Sequence, residues 1–519
     1  MSIIGPVDRR GFLVGAAALG VAATLPRLGR AATPSKGGHF RIGVADYATQ
    51  DDLDPANIDT RFQTYLQFQL RNGLVEIGPG GVLVPELAES WEGSKDAKTW
   101  IFKLRKGVTF HNGKPLTPAD VIYSFRHHQG ESSKSTAKPM LASLTDIKAD
   151  GDSTVVFTLS AGNVGFPALA ANYSFMIVPD GATKFEDGMG TGGYILEEWK
   201  PGLRSLVKRN PNYWKAGRAH FDSVEMTAIK DGSARVNALV TGQIDAFNFV
   251  DPKIVSLLEK NAKVKVIRTA SKAHYVFPML VDMDPFKDVD VRNAMKYAVD
   301  RQDMVKRVLH GFGTVGNDQP LGVGYEFYDP SIEQRVYDPE KAKFLLKKAG
   351  KSDLAVQLFV SETPFAGATD AAVVFKEHAA KAGINIEVVK TPEDGYWDDV
   401  WTKKPLCASR WSGRTNEDAM LSLAYTDEGL KIGWNETRFN NERVNALVVA
   451  ARSEFDVAKR REMYSECQRI IRDQGGSTVF AFADFVDATS ARVQHEDKLS
   501  GEWDLDGGRA AERWWFAAS

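Results

Sequence analysis

Strand-like and helix-like patterns alternate along this 519-residue chain, and that alternation narrows its fold more than any other feature. Phe40-Arg41-Ile42-Gly43-Val44 alternates as a strand does, and 100–104, 154–159, 263–267 and 384–389 are also strand-like. Helical patterns separate them. Asp290 can cap a helix with apolar residues at Val291, Ala294, Met295, Ala298, Val305 and Leu309, closed by Gly311. Asp338-Pro339-Glu340 opens another, with proline at the first helical position, and Gly350 ends it. Two amphipathic helices are expected at about 442–455 and 456–473. The expected class is α/β, sheets covered by helices. No period of 20–50 residues recurs, which argues against a solenoid.

The first 31 residues are of a different kind. Asp8-Arg9-Arg10-Gly11-Phe12-Leu13 leads into an apolar stretch ending at Ala23, which is shorter than the roughly 20 residues a membrane-spanning helix needs. Arg27 and Arg30 follow, and Gly29-Arg30-Ala31 offers small residues at the −3 and −1 sites of a cleavage point. This arrangement resembles the bacterial twin-arginine signal, with Arg9 and Arg10 as the pair. It implies passage through the twin-arginine export machinery, removal of 1–31 and a periplasmic location.

Charge and cysteine content narrow the function. The chain has 65 Lys+Arg against 67 Asp+Glu, and loss of four arginines and Asp8 with the signal would leave 61 against 66. No basic stripe remains, so nucleic-acid binding is not expected. The two cysteines are Cys407 and Cys467. Cys467 falls at an apolar position of a helical pattern and reads as a core thiol. No cysteine stands directly after the expected cleavage point, which argues for a free protein rather than a lipid-anchored one.

Several motifs fit in letters alone. Gly311-Phe312-Gly313-Thr314-Val315-Gly316 follows a helix, and Gly188-Met189-Gly190-Thr191-Gly192-Gly193 precedes a strand; both contexts are wrong for a dinucleotide loop, which needs a strand before and a helix after. The nine histidines show no metal-ligand spacing, and there is no Gly-x-Ser-x-Gly elbow. No metal, cofactor or catalysis is expected. More suggestive are Trp397, Trp401, Trp411, Tyr425 and Trp434, crowded with Arg410, Arg414, Glu417 and Asp418. Such a stretch suits either a cleft for a polar small molecule or a set of core aromatics with solvated charges.

The run Phe102-Lys103-Leu104-Arg105-Lys106-Gly107-Val108-Thr109-Phe110-His111-Asn112-Gly113, continuing through Leu116-Thr117-Pro118-Ala119-Asp120-Val121, resembles the periplasmic substrate-binding proteins of ABC transporters, in the dipeptide/oligopeptide/nickel branch (family 5). Asp52-Leu53-Asp54-Pro55, Pro85-Glu86-Leu87-Ala88-Glu89-Ser90-Trp91, Asn210-Pro211-Asn212-Tyr213-Trp214 and Ala298-Val299-Asp300-Arg301 extend the resemblance over essentially the whole chain after the signal. It implies a two-lobed fold with a hinge and an extra α/β subdomain in the first lobe. Mapped here, lobe I is 32–60, 190–275 and 485–519, the subdomain is 61–189, and lobe II is 276–484. It implies a monomer that captures a peptide or peptide-like, amino-acid-derived solute by hinge closure and delivers it to a membrane permease.

The family segment Trp-x-Gly-Asp, whose acid meets a peptide's ammonium in peptide-binding members, here reads Trp411-Ser412-Gly413-Arg414-Thr415-Asn416-Glu417-Asp418. Arg414 stands at the place of the acid. Three outcomes are open: the solute presents an anion to Arg414, Glu417 or Asp418 takes over the ammonium, or Arg414 makes a salt bridge across the lobes. Asp46, Tyr47, Phe365, Trp434 and Asn435 are further candidate cleft residues by the same resemblance. Alternative roles are binding of an opine-like carboxylate or chelated nickel and, from other classes, an exported hydrolase or a periplasmic chaperone.

Overall fold

The computed structural model describes residues 34–131 and 133–518. Arg9, Arg10 and the rest of the expected signal lie outside the described residues. Among the described residues no helix is long and apolar enough to cross a membrane.

The main sheet is mixed. Its strands are β1 (His39–Val44), β2 (Tyr194–Lys200), β3 (Arg204–Arg209), β4 (Ser223–Ala228), β5 (Ala246–Phe247), β6 (Val264–Pro278), β7 (Gly313–Val315), β8 (Ser409–Trp411) and β9 (Ser477–Ser490). They lie in the order β8-β6-β9-β5-β1-β4-β3-β2, with β7 also paired to β9 off this path. β1 runs parallel to β4 and β5, and the other pairings are antiparallel. A separate antiparallel sheet orders Ala88–Gly93, Thr99–Leu104, Thr154–Leu159 and Leu144–Ala149.

Apolar side chains collect in distinct cores. One, under the four-stranded sheet, includes Phe102, Phe125, Phe157 and Phe175. A second joins Phe40, Tyr65, Met226 and Trp514, so the last residues of the chain pack beside the first strand. Two more cover opposite faces of the β6–β9 ribbon, one around Phe277 and Phe480, the other around Val276, Trp411 and Tyr464. β6 and β9 are the longest strands and serve several cores: Val264 and Val486 pack at one end, Phe277 and Phe480 at the other. Their register breaks twice in between, at Ala270/His274 and at Tyr275/Val276. Such breaks bend and twist a ribbon locally.

Local signals read well where capping is explicit. Asp338 caps the helix Pro339–Lys348 by accepting from the Lys341 N–H at 2.9 Å. The single helix expected from Asp290 to Gly311 is instead two, Val289–Tyr297 and Arg301–Val308. Asp288 rather than Asp290 caps the first. Asp300 accepts from the Gln302 and Asp303 N–H groups, so the apolar periodicity continues while the chain restarts. In the loop 188–193, a Cβ on Gly190 would lie 2.2 Å from the Leu70 carbonyl oxygen. Those glycines serve backbone packing, which agrees with reading no phosphate loop there.

Candidate functional site

A cavity of about 670 Å³ opens among these cores. One wall comes from the loop after β8 and the segment to Trp434, a second from Met140 and Tyr173, and a third from Asp59, Phe68 and Trp503.

Arg414 projects from the first wall. The loop passes tightly beside β6: Gly413 has φ +83°, and a Cβ there would sit 2.5 Å from the Lys272 Cβ. Gly413→Ala is therefore expected to destabilise the fold by about 1–3 kcal/mol and to weaken solute binding by displacing Arg414. Thermal unfolding and titration of the variant check both effects. The Arg414 N–H donates to the Tyr325 hydroxyl at 2.9 Å. Its guanidinium lies 5.1 Å from the Trp411 ring centre and 5.9 Å from that of Trp434, and one nitrogen donates to the Gly413 carbonyl. Burial lowers its pKa from the ordinary value, against the pull of the Tyr325 and Tyr173 hydroxyls; an arginine in this setting keeps its charge. Among the described residues, no carboxylate pairs with it.

The rings beneath it are fixed from below. Glu436, buried, accepts from Trp401 Nε1 at 2.7 Å, Trp411 Nε1 at 2.8 Å and Ser409 Oγ at 2.6 Å. Burial raises the Glu436 pKa while those bonds pull it down. Trp434 packs 5.6 Å from Trp401 and 6.0 Å from Trp411, centre to centre.

The other charges at the cavity are mostly matched. Lys272 donates to Glu502 and to the Thr415 carbonyl, both at 2.9 Å. It is this pair, not Arg414, that ties the neighbouring segments by an ion pair. Arg509 is held by Glu86 and Glu512 and lies 4.3 Å from the Phe68 ring centre. Glu428 pairs with Arg452. Asp59, exposed at the rim, pairs with no cation among the described residues. Asp59 and Arg414 both act on the Tyr173 hydroxyl, the first raising and the second lowering its pKa, while burial dominates the rise.

The structure brings Arg414 and Trp434 to the cavity wall, with Trp411 directly beneath. It does not bring the other expected residues there. Glu417 and Asp418 open the helix Glu417–Tyr425. Glu417 accepts from the Phe327 N–H at 2.8 Å, and Asp418 pairs with Arg452 at 3.0 Å. Burial raises both pKa values. Both carboxylates are thus satisfied by protein partners and neither lines the cavity. Phe365 stacks on Tyr275 at 4.0 Å inside a core. Asn435 is buried, its amide donating to the Phe439 and Thr426 carbonyls. Asp46 accepts from the Arg61 N–H at the start of the helix Arg61–Leu70, and Tyr47 packs against the core of Phe40. Cys407 and Cys467 are buried, unpaired and in different clusters. Asp59, Phe68, Tyr173, Lys272, Glu502 and Trp503 were not anticipated at the site. They come from four distant segments with no shared motif.

The profile of the bacterial extracellular solute-binding proteins, family 5 (middle), matches residues 82–430. The chain belongs to this family. The solute-binding protein is 28% identical over 446 residues to heme-binding protein A of Haemophilus influenzae, covering 78% of this chain and 80% of that one. It is 25% identical over 458 residues to the dipeptide-binding protein of Escherichia coli K12, covering 79% and 83%. The structure of HbpA2 from Haemophilus parasuis superposes with a TM-score of 0.81 at 22% identity, covering 91% of this chain and 99% of that one. The solute-binding protein therefore has the two-lobed α/β fold of this class, and its role is to bind a solute as the extracytoplasmic component of an ABC importer.

Proposed function

We propose that the solute-binding protein captures a peptide-like, carboxylate-bearing solute in the cavity beside Arg414, within a periplasm, and hands it to its permease as a monomer. The observation that carries this reading is the Arg414 guanidinium: it is half-buried at the cavity, backed by two indoles and paired with no carboxylate among the described residues. A half-buried cation without a counter-ion is partly stripped of water with nothing in exchange, and an incoming carboxylate supplies two acceptors for its planar fork. The lobes would be 32–60, 190–275 and 485–519 against 276–484, with 61–189 as the added subdomain. The register breaks of the β6–β9 ribbon between Ala270 and Val276 make it the natural hinge, and Lys272 beside them would couple hinge angle to cavity shape.

Asp59 offers the opposite charge at the rim. If the solute is zwitterionic, Asp59→Asn is expected to weaken free-amine compounds by about threefold to tenfold and to spare their N-acetylated forms, measured by calorimetric titration. A chelated metal would have to bring its own ligands, since the described wall carries no histidine or cysteine.

A thermal-shift screen of dipeptides, opines, haem and nickel chelates tests the reading. A bound solute raises stability by RT ln(1 + [L]/Kd), about 2.7 kcal/mol at a hundredfold excess over Kd. Shifts with carboxylate compounds that vanish in Arg414→Ala are expected; shifts that survive the substitution contradict it. Export by the twin-arginine route is tested by Arg9→Lys with Arg10→Lys, which is expected to hold the unprocessed chain in the cytoplasm on fractionation.

A further inference from the structure

We infer that this cavity selects a solute with an aromatic ring, received against the indoles of Trp434 and Trp503 that line it. The inference rests on the carboxylate reading of Arg414 and adds the chemistry of the solute's body.

Trp434 is 44% exposed at the cavity, whereas Trp411 beside it is 3% exposed. An indole left this open in a chain that buries most of its large apolar side chains is a surface kept for something else. It is also rigid. Trp401 meets it edge-on at 78° and Trp411 lies against it at 54°. Both of those rings are pinned through Nε1 to the one buried carboxylate, Glu436.

Trp503 comes from a different part of the chain and is held by different means. Tyr173 packs against it edge-on at 5.6 Å and 69°. The Arg61 guanidinium lies 4.0 Å from its ring centre, and Arg61 is itself tied to the buried Asp504 at 3.4 Å. Two indoles thus line one cavity, Trp434 packed on two hydrogen-bonded rings and Trp503 held by Tyr173 and by cation–π contact with Arg61.

A cavity that only removed apolar surface from water could use leucine or methionine and would not need fixed ring planes. Flat, rigid faces with a π-quadrupole reward a flat partner, at low entropy cost because they are already ordered. Arg414, lying near the Trp411 and Trp434 rings, places the carboxylate next to that ring.

The test uses two dipeptides of equal charge, Gly-Phe and Gly-cyclohexylalanine, titrated calorimetrically into the protein and into Trp434→Leu and Trp503→Leu. The saturated ring is the more apolar, so burial alone favours it. The aromatic dipeptide is expected to bind at least about tenfold tighter, with each leucine variant pulling that ratio toward one while the saturated compound changes little. Thermal unfolding of the variants shows that they are folded. Equal or tighter binding of the saturated compound, still lost in Arg414→Ala, overturns the aromatic preference and leaves the carboxylate reading standing. Failure of both dipeptides to bind overturns both.

Discussion

Arg414→Ala is expected to weaken a carboxylate solute by about 30-fold to a few thousandfold, because truncating one partner of a buried, hydrogen-bonded charge pair costs about 2–5 kcal/mol. Arg414→Lys is expected to recover only a small part, since an ammonium lacks the planar fork that lies over Trp411 and donates two parallel bonds. The free protein is expected to behave oppositely. With no carboxylate paired to Arg414, its charge works against the fold, so the unfolding temperature of Arg414→Ala without solute should hold or rise. Calorimetric titration and thermal unfolding of the same preparations separate the two effects. A variant that binds normally, or that loses binding only because it is unfolded, contradicts the assignment.

Lys215→Met is expected to be the more damaging substitution for the fold. The Lys215 ammonium lies 2.5 Å from Glu76, 2.6 Å from Glu86 and 3.0 Å from Glu512, all buried. These are the one trio of carboxylates among the described residues close enough together to hold a cation, and Lys215 is the cation. Arg509 and Arg513 complete the cluster, which joins the last turn of the chain to strands near residue 80 and reaches the cavity through Arg509. Burial works against the charge on Lys215, but Glu512, Glu76 and Glu86 outweigh it and raise its pKa. The cations in turn overcome burial at Glu512, pulled down to about 2, and at Glu76, held well below the usual carboxylate range.

Removing the ammonium leaves Glu76, Glu86 and Glu512 without their shared central cation, facing only Arg509, Arg513 and the more peripheral Arg218, a loss of about 3–5 kcal/mol at pH 7. The pH dependence has a definite sign. Carboxyls depressed by folding contribute stability above their unfolded value near 4.3, and that contribution is lost as pH falls toward about 2. The protein should therefore lose stability from about pH 5 downward. In Lys215→Met the same carboxyls can take up protons at milder acidity, so the gap between variant and parent should narrow on acidification. Denaturant unfolding at pH 7 and pH 4 measures that gap; a gap that stays constant contradicts the electrostatic account of the cluster.

Much of the architecture was legible because its signals are local. The Asp338-Pro339 pair marks a helix start through hydrogen bonding and fixed φ within one turn, and the strand pattern at 263–267 marks the beginning of β6. What sequence could not show was that β6 runs on to Pro278 through two register breaks, because those are set by its pairing with β9, some 200 residues later. Asp290 illustrates another limit: the apolar period ran unbroken through Asp300, whose cap could win only by competing for backbone groups.

At the site, Arg414 and Trp434 stood out in sequence because they fall in one short stretch crowded with aromatic and charged residues, although the helices Glu417–Tyr425 and Asp427–Lys431 separate them in the fold. Glu417 and Asp418 sit in the same stretch but start a helix, and its first turn directs them to Phe327 and Arg452. Position in a motif did not decide direction; the helix did. Asp59, Tyr173 and Trp503 reach the cavity from separate segments and carry no pattern of their own. The cluster around Lys215 is equally silent in sequence, since its Glu76–Arg513 bond spans 437 positions.

The central claim is that a solute carboxylate meets Arg414. Titrating Gly-Phe and Gly-Phe-amide into the protein and into Arg414→Ala tests it most directly, because the four affinities close a cycle that isolates this one contact. The account predicts that the amide binds the parent protein at least about 30-fold more weakly than the acid, and that the variant no longer tells the two apart. An amide bound as tightly as the acid by the parent protein, or an acid preference of the same size in the variant, contradicts it.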